Sequence, residues 1–344
     1  MLNGFLFLAV RMQRGFGVSV VAAEVGRRLN HLRIPVVVGC SEHDGGFDDL
    51  VVRRIEPHPA SIARLAGEHG CDTIVALTSP FFEALPPLTE RFKCWAWEWG
   101  DPTPSFFVSD GDARAGIIAN KQRTVYPRIA GVIAGSDFLR ADVGWPDSRV
   151  VYPAADHAPD MGPKTFAAGL PREGNLRVGT LMRLGAGEAR YKGNSLFREI
   201  KTCCDRQGID CTFVVAGRGT DADASTFRQE GIEVHLSLTE DEKWDYLRGL
   251  DVFVSCSLWE GFNLPLAEAQ AVGTVGLAFD VGAHPEVTPF VMGGIADVVA
   301  QLRAYSDKPS LLQAHSAAAY RFVRGRFSWS ETTQSLLEAV SRQE

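Results

Sequence analysis

At 344 residues and a net charge of −7, with 45% hydrophobic and 22% charged residues, the chain has the make-up of a globular protein of about two domains. Its balance of 35 basic against 42 acidic side chains excludes a broad nucleic-acid surface. No apolar run reaches the ~20 residues of a bilayer-spanning helix. The seven cysteines, odd in number and without a C-x-x-C, exclude a disulfide framework and a zinc ribbon.

In chain order, the apolar run Phe5–Val10 has no basic residue ahead of it and no small-residue cleavage site behind it, so it reads as a buried strand rather than a leader. Free, mostly buried thiols fit a reducing compartment, and a cytoplasmic protein is expected. Arg14-Gly15-Phe16-Gly17 follows, then a helix over 18–31. As a dinucleotide fingerprint this turn fails, because Val20 stands where the third glycine belongs. Strands are expected at 34–39, 73–77, 92–97 and 131–135, and helices at 59–69 and 113–122. Within Cys94-Trp95-Ala96-Trp97-Glu98-Trp99-Gly100, period two sets the three tryptophans on one face, most simply a core layer. Trp99, near the strand's carboxyl end, is a candidate to line a ligand cleft, with Glu98 and Asp101 beside it.

A connector is expected from Pro153 to Glu173, with Pro159, Pro163 and Pro171 inside it. Beyond it, strands are expected at 176–181, 211–216, 232–236, 251–255 and 275–279. Helices are expected at 193–207, 239–249, 264–272 and 294–343, the last broken at Pro309 and near Phe327. Strands continuous in Val, Ile, Leu and Phe suit parallel sheets covered on both faces, so the alternation predicts two doubly wound α/β domains. In such sheets ligands bind beyond the carboxyl ends of the strands, and two such domains face to face would enclose a cleft.

The most informative stretch is Ser257-Leu258-Trp259-Glu260-Gly261-Phe262-Asn263-Leu264-Pro265-Leu266-Ala267-Glu268-Ala269. A strand ends before it, and Pro265 suits the first turn of a helix beginning near Asn263–Leu264. The N–H groups at that terminus would attract an anion. Glu260 and Glu268, eight positions apart, are two carboxylates able to accept hydrogen bonds from a vicinal diol. Each acid alone reads more simply as a solvated loop or helix residue.

The whole string resembles the E-x7-E signature of retaining GT-B glycosyltransferases of the family-four, group 1 type. The resemblance implies a GT-B fold of two Rossmann-like domains: an N-terminal acceptor domain over 1–165, a C-terminal donor domain over 166–325, and a terminal helix over 326–344 packing back toward the first. It implies that Glu260 lies near the donor sugar and that Glu268 holds the nucleotide ribose. Phe262, Asn263 and Leu264 would present backbone amides to diphosphate and sugar, although glycine often stands where this chain has Asn263. Arg183, ending Arg177–Arg183, and Lys192 of Tyr191-Lys192-Gly193 resemble the family's pair of cations that offset the departing diphosphate. Gly217, in Gly217-Arg218-Gly219, corresponds to a loop that approaches the nucleotide, and Leu236 to the segment bracketing the base. Asp280-Val281-Gly282-Ala283-His284-Pro285-Glu286-Val287 and Phe327-Ser328-Trp329 continue the likeness. Gly15 and Gly17 correspond to a glycine loop of the first domain that faces the donor phosphate, with Arg14 replacing the family's first glycine. The family's histidine after the tryptophan-rich strand is missing, which leaves Glu98 and Trp99 as acceptor-side candidates. Val151–Asp156 resembles the interdomain turn and is assigned to connection rather than catalysis.

The expected activity is therefore metal-independent transfer of a sugar, with retention, from a nucleotide-diphosphate-sugar to a glycan, lipid-linked or small-molecule acceptor. No cofactor is expected beyond the donor itself. No nucleic acid or integral membrane segment is involved, while peripheral membrane association stays open. A non-catalytic nucleotide-sugar-binding scaffold and a nucleotide-sugar epimerase are the alternatives. A metal-dependent GT-A enzyme would use a D-x-D, but Asp110-Gly111-Asp112 and Asp221-Ala222-Asp223 read as polar turns.

Overall fold

The computed structural model describes residues 3–107, 109–165, 175–185 and 187–341. The chain forms two compact units. One contains Met1–Pro104, Ser109–Ala154 and Ser328–Glu344; the other contains Ser105–Val108 and Ala155–Phe327. The domain limit expected after residue 165 abuts residues 166–174, which lie outside the described residues together with Pro171 and Glu173.

The first unit is built from β1 (Phe5–Met12), α1 (Gly17–His31), β2 (Val36–His43), β3 (Val51–Arg54), α2 (Pro59–Glu68), β4 (Thr73–Ala76), β5 (Lys93–Glu98), α3 (Gly111–Asn120), β6 (Gly131–Ala134), α4 (Asp137–Asp142) and β7 (Arg149–Val150). The seven strands pair in the order β3-β2-β1-β4-β5-β6-β7, parallel throughout. Phe5 to Ala9 are fully buried, as expected of a central strand covered on both faces. The order reverses between β1 and β4, and the turn carrying Gly15 and Gly17 leaves β1 at that reversal. The last helix, Trp329–Ser341, also belongs here. Trp329 is fully buried, and Thr332 Oγ1 donates to the Tyr152 carbonyl at 2.8 Å.

The second unit contains β8 (Leu176–Arg183), α5 (Asn194–Arg206), β9 (Cys211–Arg218), α6 (Asp221–Gln229), β10 (Glu233–Leu236), α7 (Glu240–Gly249), β11 (Val252–Ser255), α8 (Leu264–Ala271), β12 (Val275–Phe279), α9 (His284–Val287), β13 (Val291–Met292), α10 (Ile295–Asp307) and α11 (Pro309–Arg324). The Trp329–Ser341 helix is α12. Its six strands are parallel in the order β10-β9-β8-β11-β12-β13, with the reversal between β8 and β11. Phe197, Ile200 and Cys204, at helical spacing on α5, seal one face of the core with Phe213 and Val254. The expected breaks at Pro309 and Phe327 separate α10, α11 and α12.

Both D-x-D stretches depart from the polar turns expected of them. Asp110 precedes α3 and meets Arg114 at 2.8 Å, with Asp112 in the helix's first turn. Asp221 and Asp223 open α6, where Thr220 and Asp223 form a reciprocal capping box. Acidic side chains are stabilised there by unpaired N–H groups and the positive end of the helix dipole. None of the seven cysteines forms a disulfide, and burial pushes the Cys40 thiol up to about 11 and Cys94 up to about 12. Among the described residues no helix is long and apolar enough to cross a membrane.

Candidate functional site

A doubly wound sheet opens a crevice where its strand order reverses, because the connections beside that point leave toward opposite faces. In the second unit this point lies beyond the carboxyl ends of β8 and β11. Arg183 ends β8, and residues 256–263 leave β11. The loop after Arg183 turns through Gly193, whose φ is +72° and whose added Cβ would stand 2.0 Å from the Cys256 carbonyl oxygen. Only glycine permits this approach. The close approach carries Lys192 to the β11–α8 loop, where its Nζ meets Glu260 Oε1 at 2.8 Å. Burial would raise the Glu260 carboxyl. The charge of Lys192, with hydrogen bonds from Lys192 and Ser257, outweighs burial and holds it below the usual range. Arg183 pairs with Glu188 of its own loop and keeps about half of its side chain exposed (47%).

Glu268, 3% exposed, lies in α8. Its Oε1 accepts from Lys243 of α7 at 3.1 Å and meets His157 Nε2 at 2.9 Å. Burial would raise this carboxyl as well, but Lys243 and then His157 hold it low. Lys243 Nζ also lies 3.9 Å from the Trp244 ring centroid, and His157 packs edge-on against that ring. Glu260 and Glu268 are thus both anionic, buried and cation-paired, rather than solvated. Sequence reasoning missed Lys243 and His157. His157 directly follows the segment assigned to connection, and neither residue carries a local signal of its partner.

Asn263 takes the left-handed region at φ +74°, a conformation shared by glycine and asparagine, and is the N-cap of α8. Its Oδ1 accepts from the Leu266 amide at 3.2 Å. Pro265 has no N–H, so the anion-attracting terminus expected here offers fewer donors than a plain helix start: the Leu264 amide and those of the preceding loop remain. Phe262 turns inward, 5% exposed and edge-on to Phe327 at 5.2 Å, so only its backbone faces the loop.

The remaining candidates lie on other elements. Gly217 lies within β9, where an added Cβ would fall 1.7 Å from the Met182 carbonyl oxygen, so strand packing alone demands glycine. Leu236 ends β10 and packs on the hydrophobic core. In the first unit Gly15 has φ +74° and Gly17 begins α1. Glu98 is 2% exposed and bound by Lys121 Nζ at 2.8 Å and the Tyr126 hydroxyl at 2.6 Å. Burial raises its carboxyl against the pull of Lys121. Lys121 also meets Asp101, at 2.5 Å. Trp99 is half-buried, its ring 5.2 Å from that of the fully buried Trp97. Among the described residues no group of three or more His, Cys, Asp or Glu side chains is placed to hold a metal ion.

Comparison with known proteins gives a family match and a fold. Residues 179–306 match the family described as Glycosyl transferases group 1. The chain is 30% identical over 237 residues to the lipopolysaccharide core biosynthesis mannosyltransferase LpcC of Rhizobium leguminosarum bv. viciae, an alignment covering 61% of this chain and 65% of that protein. Alignments with two further curated relatives span 22% and 24% of their lengths. Among solved structures, sucrose-phosphate synthase of Thermosynechococcus elongatus superposes with a TM-score of 0.78 at 12% identity, covering 98% of each chain. HepE of Anabaena, solved in complex with UDP-glucose, superposes with a TM-score of 0.73 at 16% identity over 98% of this chain and 99% of its own. Both likenesses establish the two-sheet fold.

Proposed function

We propose, from a chain whose residues 179–306 form a glycosyl transferases group 1 domain within a GT-B fold, that the protein transfers a sugar from a nucleotide-diphosphate-sugar donor held by the second unit. The observation that carries this reading is the Lys192–Glu260 pair at the reversal of the sheet, with the buried, cation-paired Glu268 in the helix that follows. Glu268 uses Oε1 for Lys243 and His157, and Oε2 accepts from a ribose hydroxyl. Arg183 and Lys192 meet the diphosphate, so that charge developing on the leaving group finds preorganised cations. Glu260, fixed by Lys192, orients the donor sugar, and the amides of 262–264 add donors to the phosphate.

The reaction proceeds with retention. The bond from the anomeric carbon to the phosphate oxygen breaks, the acceptor oxygen attacks on the face the diphosphate leaves, and its proton passes to a diphosphate oxygen. No metal is required, because Arg183 and Lys192 supply the positive charge. The acceptor is a carbohydrate, lipid-linked or small-molecule hydroxyl compound read by the first unit; the name of the mannosyltransferase relative supports a glycan-building role. Seven cysteines with no disulfide among them support a cytoplasmic setting.

The test is thermal unfolding with UDP-, GDP-, ADP- and dTDP-sugars, with and without EDTA. A ligand at ~100 times its Kd adds ~2.7 kcal/mol. One nucleotide should stabilise the wild type regardless of EDTA and fail with Glu268→Gln. Stabilisation by none, with donor turnover absent, would leave a non-catalytic scaffold.

A further inference from the structure

Beneath the donor loop lies a buried polar network that the proposed chemistry does not use. Asn263 Nδ2 donates to Ser255 Oγ at 2.8 Å and to His284 Nε2 at 2.9 Å, and Ser255 Oγ lies 3.1 Å from the same ring nitrogen. The other ring nitrogen, Nδ1, is 2.8 Å from the Phe279 carbonyl oxygen. A carbonyl only accepts, so Nδ1 carries the proton and Nε2 is the acceptor for Asn263. His284 is fully buried. One tautomer of a neutral imidazole therefore fixes which way the Asn263 amide points, and that orientation turns Oδ1 toward the Leu266 amide.

We propose that neutral His284 is a positioning residue for donor binding, holding Asn263 in its left-handed N-cap conformation so that the loop amides face the diphosphate. The role rests on the donor-site reading above. A second proton on His284 would present a donor to the Asn263 amino group. The amide would then have to reverse, turning its amino group toward the Leu266 N–H and losing the cap. The charged groups acting on His284 are Glu260 and Asp280, which favour the proton, and Lys192, which opposes it. Burial dominates and keeps the imidazole below its ordinary 6.5. The loop is thus held fully above that pH and released as pH falls through the lower, folded-state value.

The experiment follows two readouts from pH 7.5 to about 5: hydrogen exchange at the Leu266 amide in ligand-free protein, and the Kd for UDP, GDP and ADP. In the wild type, exchange should quicken and the Kd of the bound nucleotide rise about tenfold as pH falls. His284→Gln keeps an acceptor for Asn263 but cannot take a proton, so both profiles should flatten. Asn263→Asp forms an ion pair with protonated His284 and should carry the loss to lower pH. The same pH dependence in His284→Gln as in the wild type, or exchange at Leu266 indifferent to pH, would overturn the positioning role. Failure of every nucleotide to bind the wild type at pH 7.5 would instead overturn the donor-site reading, whatever the exchange shows.

Discussion

Gly193 shows how one residue sets the site. Its backbone lies against the Cys256 carbonyl in a conformation that L side chains avoid, and Lys192 reaches Glu260 because of that approach. Gly193→Ala should cost about 2–4 kcal/mol, from left-handed strain plus overpacking. It should weaken nucleotide binding too, because the Lys192–Glu260 pair would be drawn apart. Urea unfolding and nucleotide titration measure the two effects, and unchanged stability would contradict this account of the turn. Glu98 illustrates the reverse case. The sequence offers it as an acceptor-side carboxylate, and in the structure its Oε1 accepts from both Lys121 and Tyr126 inside the first unit. The partner, Lys121, is 23 positions away, and no local pattern announces it.

At the scale of elements, the apolar strands and amphipathic helices were legible because burial leaves a period in the sequence. The elements that went unread bury little. β3 has an exposed edge pattern, β7 and β13 span two residues each, and α6 buries only Ala224 and Phe227. What defines α6 is its start, where Thr220 and Asp223 exchange hydrogen bonds. Thr220→Ala should therefore cost about 1 kcal/mol, the usual worth of an N-cap. It should leave nucleotide affinity unchanged, since α6 holds none of the residues assigned to the donor. Circular dichroism under denaturant tests the first point, and a fall in affinity would count against the second. The E-x7-E string marks α8 by the same logic: Asn263 is read as a departure from glycine in the sequence, and in the structure it is an N-cap whose φ either residue adopts.

At the scale of the molecule, chain order and unit membership part company. Residues 328–341 follow the second unit in sequence and belong to the first, where the fully buried Trp329 and the Thr332–Tyr152 hydrogen bond tie α12 down. A chain ended at Phe327 should lose hydrogen-exchange protection in α1, which packs on α12, while β8, β9 and β11 keep theirs. Uniform loss across both sheets would mean that the units do not fold with the independence their separate cores suggest. By itself the sequence determined the two parallel sheets and the breaks at Pro309 and Phe327, because period and turn chemistry are local properties of a chain, and it singled out Glu260 and Glu268 only through the likeness of their whole string to a family motif. Only the tertiary structure decided that Lys243 and His157 hold Glu268, that Lys192 holds Glu260, and that His284 orients Asn263. Those contacts join residues 21 to 111 positions apart, and a buried charge or amide takes whichever partner folding brings beside it.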